Sequence, residues 1–321
     1  MKTNKKDLPL DQFIEFALYD KIDGYYMKKN PFGKEGDFIT APNITRLFSE
    51  IIAIWVLTFW RSIGSPKRFN LLELGAGNGE MMKVIIETLK NFPDCFNNCN
   101  FQIHEKSELL RKKQQLNLKS EKITWINDIK ISNSFPTIFL ANEFFDALPI
   151  KQFFKKKEGW FERFVDLNDK KKAEFKDQPI DIKNIEDVIN FEISKDQKII
   201  EYSPVSFEYL KHICNSIKKN DGGILIIDYG YLNFKMYETL QAIKNHKHSN
   251  ILEDIGDSDI TYNINFNLFK TFIDQFDDLN SLICNQKKFL TSMGIVQRAE
   301  IISENIPFSK KSDLFYRIRR L

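Results

Sequence analysis

Three alternating glycines stand where a short apolar run gives way to a helical pattern, in LLELGAGNGE at residues 71–80. Glycine at 75, 77 and 79 lets the backbone turn sharply and approach a ligand with no Cβ in the way. The helix that follows would present free N–H groups and the positive end of its dipole. The flanking chain agrees with a strand feeding a helix. FNLLEL (69–74), FQIHE (101–105), KITWIND (122–128), TIFLANE (137–143) and GGILIIDYG (222–230) read as strands, and helical spacing fills 80–92, 107–118 and 205–219. Strands separated by helices imply right-handed crossovers and an α/β fold around a doubly wound, mostly parallel sheet.

Around that core the chain is elaborated. Residues 8–19 and 43–62 have the three- and four-residue apolar spacing of amphipathic helices, the second with Asn43 placed to cap it. Between them GYYMKKNPFGKEGDFITAP (24–42), with three Gly and two Pro, must be loop or short hairpin. QFF (152–154) and WFERFVDL (160–167) look like paired strands joined across KKKEG, whereas the charged stretch 168–197 reads as an insertion with a solvated face. A second elaboration covers 231–285, and the tail 286–321 mixes helices with one last strand candidate. The expected layout is N-terminal helices and a cofactor-covering loop in 1–66, a first core segment in 67–150, an inserted α+β segment in 151–203, and the rest of the core in 204–321.

Composition narrows the function. With 321 residues and 42% hydrophobic content the chain can bury a sizeable core. Lys and Arg number 47 against 44 Asp and Glu, a balance that disfavours nucleic acid as partner. Four Cys suit a reducing compartment better than a disulfide scaffold. The longest apolar run, Ile51 to Trp60, is half of the roughly 20 residues a membrane span needs. The start has no apolar signal core, and Asp7, Asp11 and Glu15 are early for a transit peptide. A cytoplasmic chain of bacterial type is therefore expected ahead of a mitochondrial matrix one. Cys95 and Cys99 lack a second pair, and His104, His212, His246 and His248 form no ligand pattern, so no metal site is expected. Neither a P-loop nor a G-x-S-x-G elbow is present.

The glycine register decides between cofactors. A dinucleotide turn, G-x-G-x-x-G, would need glycine at 80, where Glu80 stands. The alternative, E-x-G-x-G-x-G from Glu73 to Gly79, resembles the first motif of class I S-adenosylmethionine (SAM) methyltransferases, in which the acidic residue lies near the cofactor's cationic amino group. Glu105, thirty residues after Gly75 at the end of the next strand, could accept from both ribose hydroxyls or be an ordinary strand-end carboxylate. Asp128, after the third strand, is either an adenine contact or a turn residue. At the carboxyl end of the fourth strand, Asn142, Glu143 and Asp146 would suit a cationic acceptor, since a carboxylate can hold a guanidinium bidentately. The competing reading is a helix-capping network there, with the Phe144–Phe145 pair in the core.

Taken in order, GYYMKKNPFGKEGDFITAP, ELGAGNGE, ANEFFDALPI with WFERFV, LIIDYGY and GDSDITYNINF resemble the MidA-like methyltransferase family from about Leu8 to about Glu300. Its mitochondrial members include a complex I assembly factor that methylates an arginine of a quinone-module subunit. The resemblance implies SAM as cofactor, held by Glu73, Gly75, Ala76, Gly77, Gly79, Glu105 and Asp128. It implies that Gly36, Asp37, Phe38 and Thr40 fold over it, and that Asn142, Glu143 and Asp146 line the acceptor site. Asp228, Tyr229 and Gly230 end the fifth strand, and Asp259, Ile260 and Thr261 form a further family motif. It implies a protein acceptor of the complex I type. Another side chain, a small molecule, or a scaffolding role with weak catalysis stay open. The chain departs from the family at 42–50, where P-E-I-S-Q-x-F-G-E is usual, and at 259–266, where Tyr262, Asn263 and Asn265 replace A-H-x-D.

Overall fold

Six consecutive buried side chains make FNLLEL a strand covered on both faces, β1 (Phe69–Leu74), as the centre of a parallel sheet requires. The computed structural model describes residues 7–28, 40–119, 121–129, 134–167, 173–244 and 247–321. The chain divides into two compact units. One comprises 30–142, 215–227 and 282–321; the other comprises 1–29, 143–214 and 228–281.

In the first unit the helix α1 (Arg46–Ser62) precedes β1, and α2 (Glu80–Leu89) follows it. Then come β2 (Cys99–His104), α3 (Glu108–Asn117), β3 (Ile123–Ile126), β4 (Thr137–Asn142) and β5 (Gly222–Ile227). All neighbours run parallel, in the order β5-β4-β1-β2-β3. The order reverses between β1 and β4, so a crevice is expected at their carboxyl ends. One face of α1 buries Leu47, Phe48, Ile51, Ile52, Val56 and Leu57, each worth roughly 1.5–3 kcal/mol. The expected helix over 43–62 is broken. A turn, Ala41–Ile44, ends before Thr45, whose Oγ1 accepts from Leu47 N at 3.3 Å and caps α1 in place of Asn43. Asn43 instead donates to Thr40 Oγ1 at 2.9 Å. The tail holds helices Gln286–Ser292, Ile295–Glu304 and Phe308–Arg319 and no strand; Leu290, Ile295 and Ala299 join the core beside α1.

The second unit is built on antiparallel pairing. Strand Gly159–Leu167 pairs with Lys151–Lys156, with Asp7–Pro9 and with Ala173–Ile180, and Ile199–Tyr202 extends the sheet beyond Lys151–Lys156. The charged stretch was expected to be an insertion outside the main sheet, and it does lie outside the parallel one; within the antiparallel sheet, however, Ala173–Ile180 pairs along its full length. Its cross-strand partners explain this: Lys176 pairs with Asp166, Lys156 with Asp177 at 2.8 Å, and the Arg163 guanidinium lies 4.6 Å from the Phe175 ring. Smaller pairings join Gln241–Lys244 to Lys247–Ser249 and Asp259–Thr261, and Gly230–Tyr231 to Ile264–Asn265. Among the described residues no helix is long and apolar enough to cross a membrane.

Candidate functional site

The turn after β1 is held open by backbone conformation. Gly75, Gly77 and Gly79 have φ of 64°, 53° and 83°, the left-handed region that costs other residues strain. Gly75 N donates to His104 O at 2.9 Å, tying the turn to the end of β2, and Ala76 is buried against the core. Asn78 Oδ1 accepts from Glu80 N, the first residue of α2, at 3.2 Å. A Cβ on Gly79 would stand 3.0 Å from Leu118 Cδ1.

Glu73 lies in β1 just before this turn. It is 3% exposed, and among the described residues its Oε2 has no hydrogen-bond partner. Burial, then the Glu105 charge, pushes its carboxyl up to about 8. A buried carboxyl with a bare oxygen is costly on its own and suits an incoming cation. Glu105 is anchored at both oxygens, accepting from Ser107 N at 2.9 Å and from Gln114 Nε2 at 3.0 Å. Burial nonetheless raises it to about 7, against the lowering effect of those bonds.

Gln114 was not foreseen. Fully buried on α3, it also donates to Gly77 O at 2.9 Å and accepts from Trp125 Nε1 at 2.9 Å. One side chain thus joins the glycine turn, the end of β2 and β3. Its signal was a glutamine one helical turn after Leu110, on the stripe that faces the core. Asp128 is exposed beyond β3, where its charge acts on His104. Thr40 precedes the turn Ala41–Ile44. Gly36, Asp37 and Phe38 lie outside the described residues.

β4 ends at Asn142, whose buried Oδ1 makes no hydrogen bond among the described residues, so it caps nothing through that atom. The next residue, Glu143, opens the second unit with φ +48°, an uncommon conformation for a non-glycine residue. The competing helix-capping reading fails because no helix follows β4, where residues 143–148 form bends and turns; the N–H groups there are met by Asp228. Asp228 Oδ2 accepts from Phe145 N at 3.0 Å and Asp146 N at 3.3 Å, and its Oδ1 from Tyr229 N at 2.9 Å. Burial pushes Asp228 up to about 7. Asp146 is raised well above the usual carboxylate range, by burial and then by the charges of Asp228, Glu143 and Asp259. Asp146 Oδ1 is buried and makes no hydrogen bond among the described residues.

Tyrosines line this acidic group. Tyr26 donates to Asp259 Oδ1 at 2.8 Å, Tyr262 lies 3.4 Å from Ser206 Oγ, and Tyr262 N donates to Asp146 O at 3.2 Å. Tyr229 is pushed up to about 12 by partial loss of solvent and by Glu143, Asp146 and Asp228, although most of its side chain stays exposed. Phe145 is fully buried, as the competing reading had it, with Phe144 edge-on at 5.2 Å. Among the described residues, no group of three or more His, Cys, Asp or Glu could hold a metal ion.

Residues 51–284 match the family described as "Putative S-adenosyl-L-methionine-dependent methyltransferase". The chain belongs to this family. It is a SAM-dependent methyltransferase, and the glycine turn with Glu73 and Glu105 fits that cofactor by the chemistry of its donors. The chain is 27% identical over 325 residues to protein arginine methyltransferase NDUFAF7 of Xenopus tropicalis, covering 92% of this chain and 74% of that one. The human protein of the same name is 27% identical over 318 residues, covering 91% and 71%. A protein from Burkholderia thailandensis, solved with S-adenosyl-homocysteine bound, superposes with TM-score 0.82 at 21% identity, over 98% of this chain and 84% of its own. The fold is the class I methyltransferase α/β fold. The expectation of a cytoplasmic, bacterial-type chain is overturned: the NDUFAF7 relatives are named as mitochondrial proteins. The acidic residues that argued against a leader belong to folded elements, Asp7 to a strand and Asp11 and Glu15 to helix Leu10–Tyr19, and carry no information on targeting.

Proposed function

We propose that this methyltransferase acts on an arginine side chain of a protein, and that the acidic group Glu143, Asp146, Asp228 and Asp259 receives the guanidinium. The observation that carries this reading is four mutually acting carboxyls gathered in one place, one with a bare buried oxygen. Such a group is unfavourable alone and is relieved by a planar cation with five donors. The relatives named protein arginine methyltransferase support it. The finer assignment, a quinone-module subunit of complex I, rests on the family resemblance.

When bound, SAM supplies a methyl group made electrophilic by its sulfonium. The chain's residues do the rest. The glycine turn, Glu73 and Glu105 hold the cofactor's amino-acid part and ribose, with Asp128 at the adenine and Thr40 beside the cofactor. Glu143 and Asp146 orient the guanidinium and take up the proton that the nitrogen loses. Incubation of the full chain with trideuteromethyl SAM and mitochondrial extract, read by mass spectrometry, should place the label on an arginine. Label confined to another side chain or a small molecule overturns the reading. So does an absence of label while SAM still binds.

Cofactor binding is expected to release protons. Glu73 and Glu105 titrate near 8 and 7, so both are substantially protonated at pH 7 without ligand. A cationic amino group beside Glu73 favours the ionised form and lowers its pKa. Calorimetry at pH 7 in buffers of different ionisation enthalpy should therefore show roughly half to one proton released. The release should shrink by pH 9 and largely vanish in Glu73→Gln; a zero slope in the unaltered protein rejects the contact. The same shifts make the free protein lose stability as pH rises from about 4.5 towards about 8, because the fold holds protons that the unfolded chain has already given up.

A further inference from the structure

The second unit shows solvent an apolar strip that the methyl-transfer reading leaves without a role. Tyr229, Leu232, Phe234 and Tyr237 are 62%, 59%, 53% and 45% exposed within nine residues. Exposed large side chains in a loose loop would mean little, but this backbone is pinned from beneath. Gln197, itself buried, donates to Phe234 O at 2.9 Å and accepts from Met236 N at 2.9 Å. Buried Glu201 accepts from Thr239 N and Leu240 N. Polar groups are thus spent inside the fold to hold a segment whose apolar side chains face out, which a chain optimised only for its own stability would not do.

The strip is continuous with the acidic group. At its head, Tyr229 follows Asp228 directly and feels the charges of Glu143, Asp146 and Asp228. Further along, Tyr231 packs at 4.6 Å on Tyr237 and lines a shallow recess together with Tyr262 and Phe269. Tyr262 in turn donates its N–H to the Asp146 carbonyl. An acidic receptor for a cation therefore adjoins an aromatic strip.

We propose that this strip docks the acceptor protein: a segment carrying a cationic side chain for the acidic group and large apolar residues beside it for Leu232 and Phe234. The proposal rests on the arginine reading and deepens it. Recognition then depends on the residues flanking the arginine, with charge placing the side chain and apolar contact supplying residence time.

The test is fluorescence anisotropy with labelled peptides of about 15 residues, titrated with the full chain in the presence of S-adenosylhomocysteine. Peptides carry a central Arg or Ala and flanks of either Phe and Leu or Ser. The apolar-flanked Arg peptide should bind at least tenfold more tightly than its Ser-flanked counterpart, and Leu232→Ser with Phe234→Ser should abolish that preference with the melting temperature and SAM affinity unchanged. Arg peptides that bind regardless of flank overturn the strip and leave the arginine reading standing. Flank-dependent binding indifferent to Arg→Ala upholds the strip while the arginine reading falls. Absence of any peptide binding overturns the strip. So does a double variant whose sedimentation shows loss of a dimer, because the strip would then be covered by a second copy of the chain.

Discussion

Gly77→Val is expected to abolish usable SAM binding, with affinity falling at least about 100-fold, or roughly 2.7 kcal/mol. Gly77 sits at φ +53°, where a β-branched residue meets its own carbonyl at a cost of about 1–2 kcal/mol. If the backbone swings away to relieve this, the Gly77 carbonyl leaves Gln114 Nε2, now 2.9 Å away. Gln114 then loosens its hold on Glu105, and the proposed ribose contact degrades with the turn. If the backbone stays, two methyl groups stand where the turn is otherwise bare. Both routes end in the same loss. Calorimetric titration with SAM and S-adenosylhomocysteine, and NADH as control, measures it, alongside a thermal melt to show that the sheet survives. A folded variant that binds SAM within threefold of the unaltered protein would refute the role of the turn.

Glu143→Gln is expected to lower kcat by about 100-fold, the lower end of the range for a lost proton acceptor, while SAM affinity changes less than twofold. Glutamine keeps the shape and the hydrogen-bonding reach and removes the charge. Its removal acts twice: the guanidinium loses an ionic partner, and Asp146 and Asp228 lose a like-charge neighbour that helps keep their pKa values high. The kcat–pH profile should therefore shift as well as fall, which a simple packing defect would not produce. Single-turnover methylation of the acceptor protein over pH 6 to 9 reads both effects. If SAM affinity drops in step with turnover, Glu143 belongs to the cofactor and not the acceptor.

What could be read from the sequence was what local chemistry dictates. The bounds of FNLLEL and the turn behind it follow from a run of apolar residues and from glycines with no alternative conformation cost. Glu73 and Glu105 were visible because motif spacing fixes them on consecutive strand ends. Three features were hidden for separate reasons. The break before Thr45 lies inside an unbroken helical period, and one hydroxyl decides it. The strand Ala173–Ile180 is held by ion pairs and an Arg–Phe contact across the sheet, which periodicity does not register. The support that Asp228 gives to Phe145 and Asp146 spans more than 80 positions, a relation that no local window contains.

The threading of the second unit has a consequence for how the enzyme comes into being. It is made of three stretches, separated in the chain by pieces of the first unit. Asp7 pairs with Asp166, and residues beyond 228 complete the acidic group. A growing chain leaving the ribosome therefore cannot finish this sheet until more than half its length has been made. Closing so long a loop has an entropic cost that must be met before the contacts reward it. Until then the first strand has no partner and the carboxyls have no cage. The acidic group thus forms late, in a molecule whose parallel sheet already has four of its five strands by Asn142.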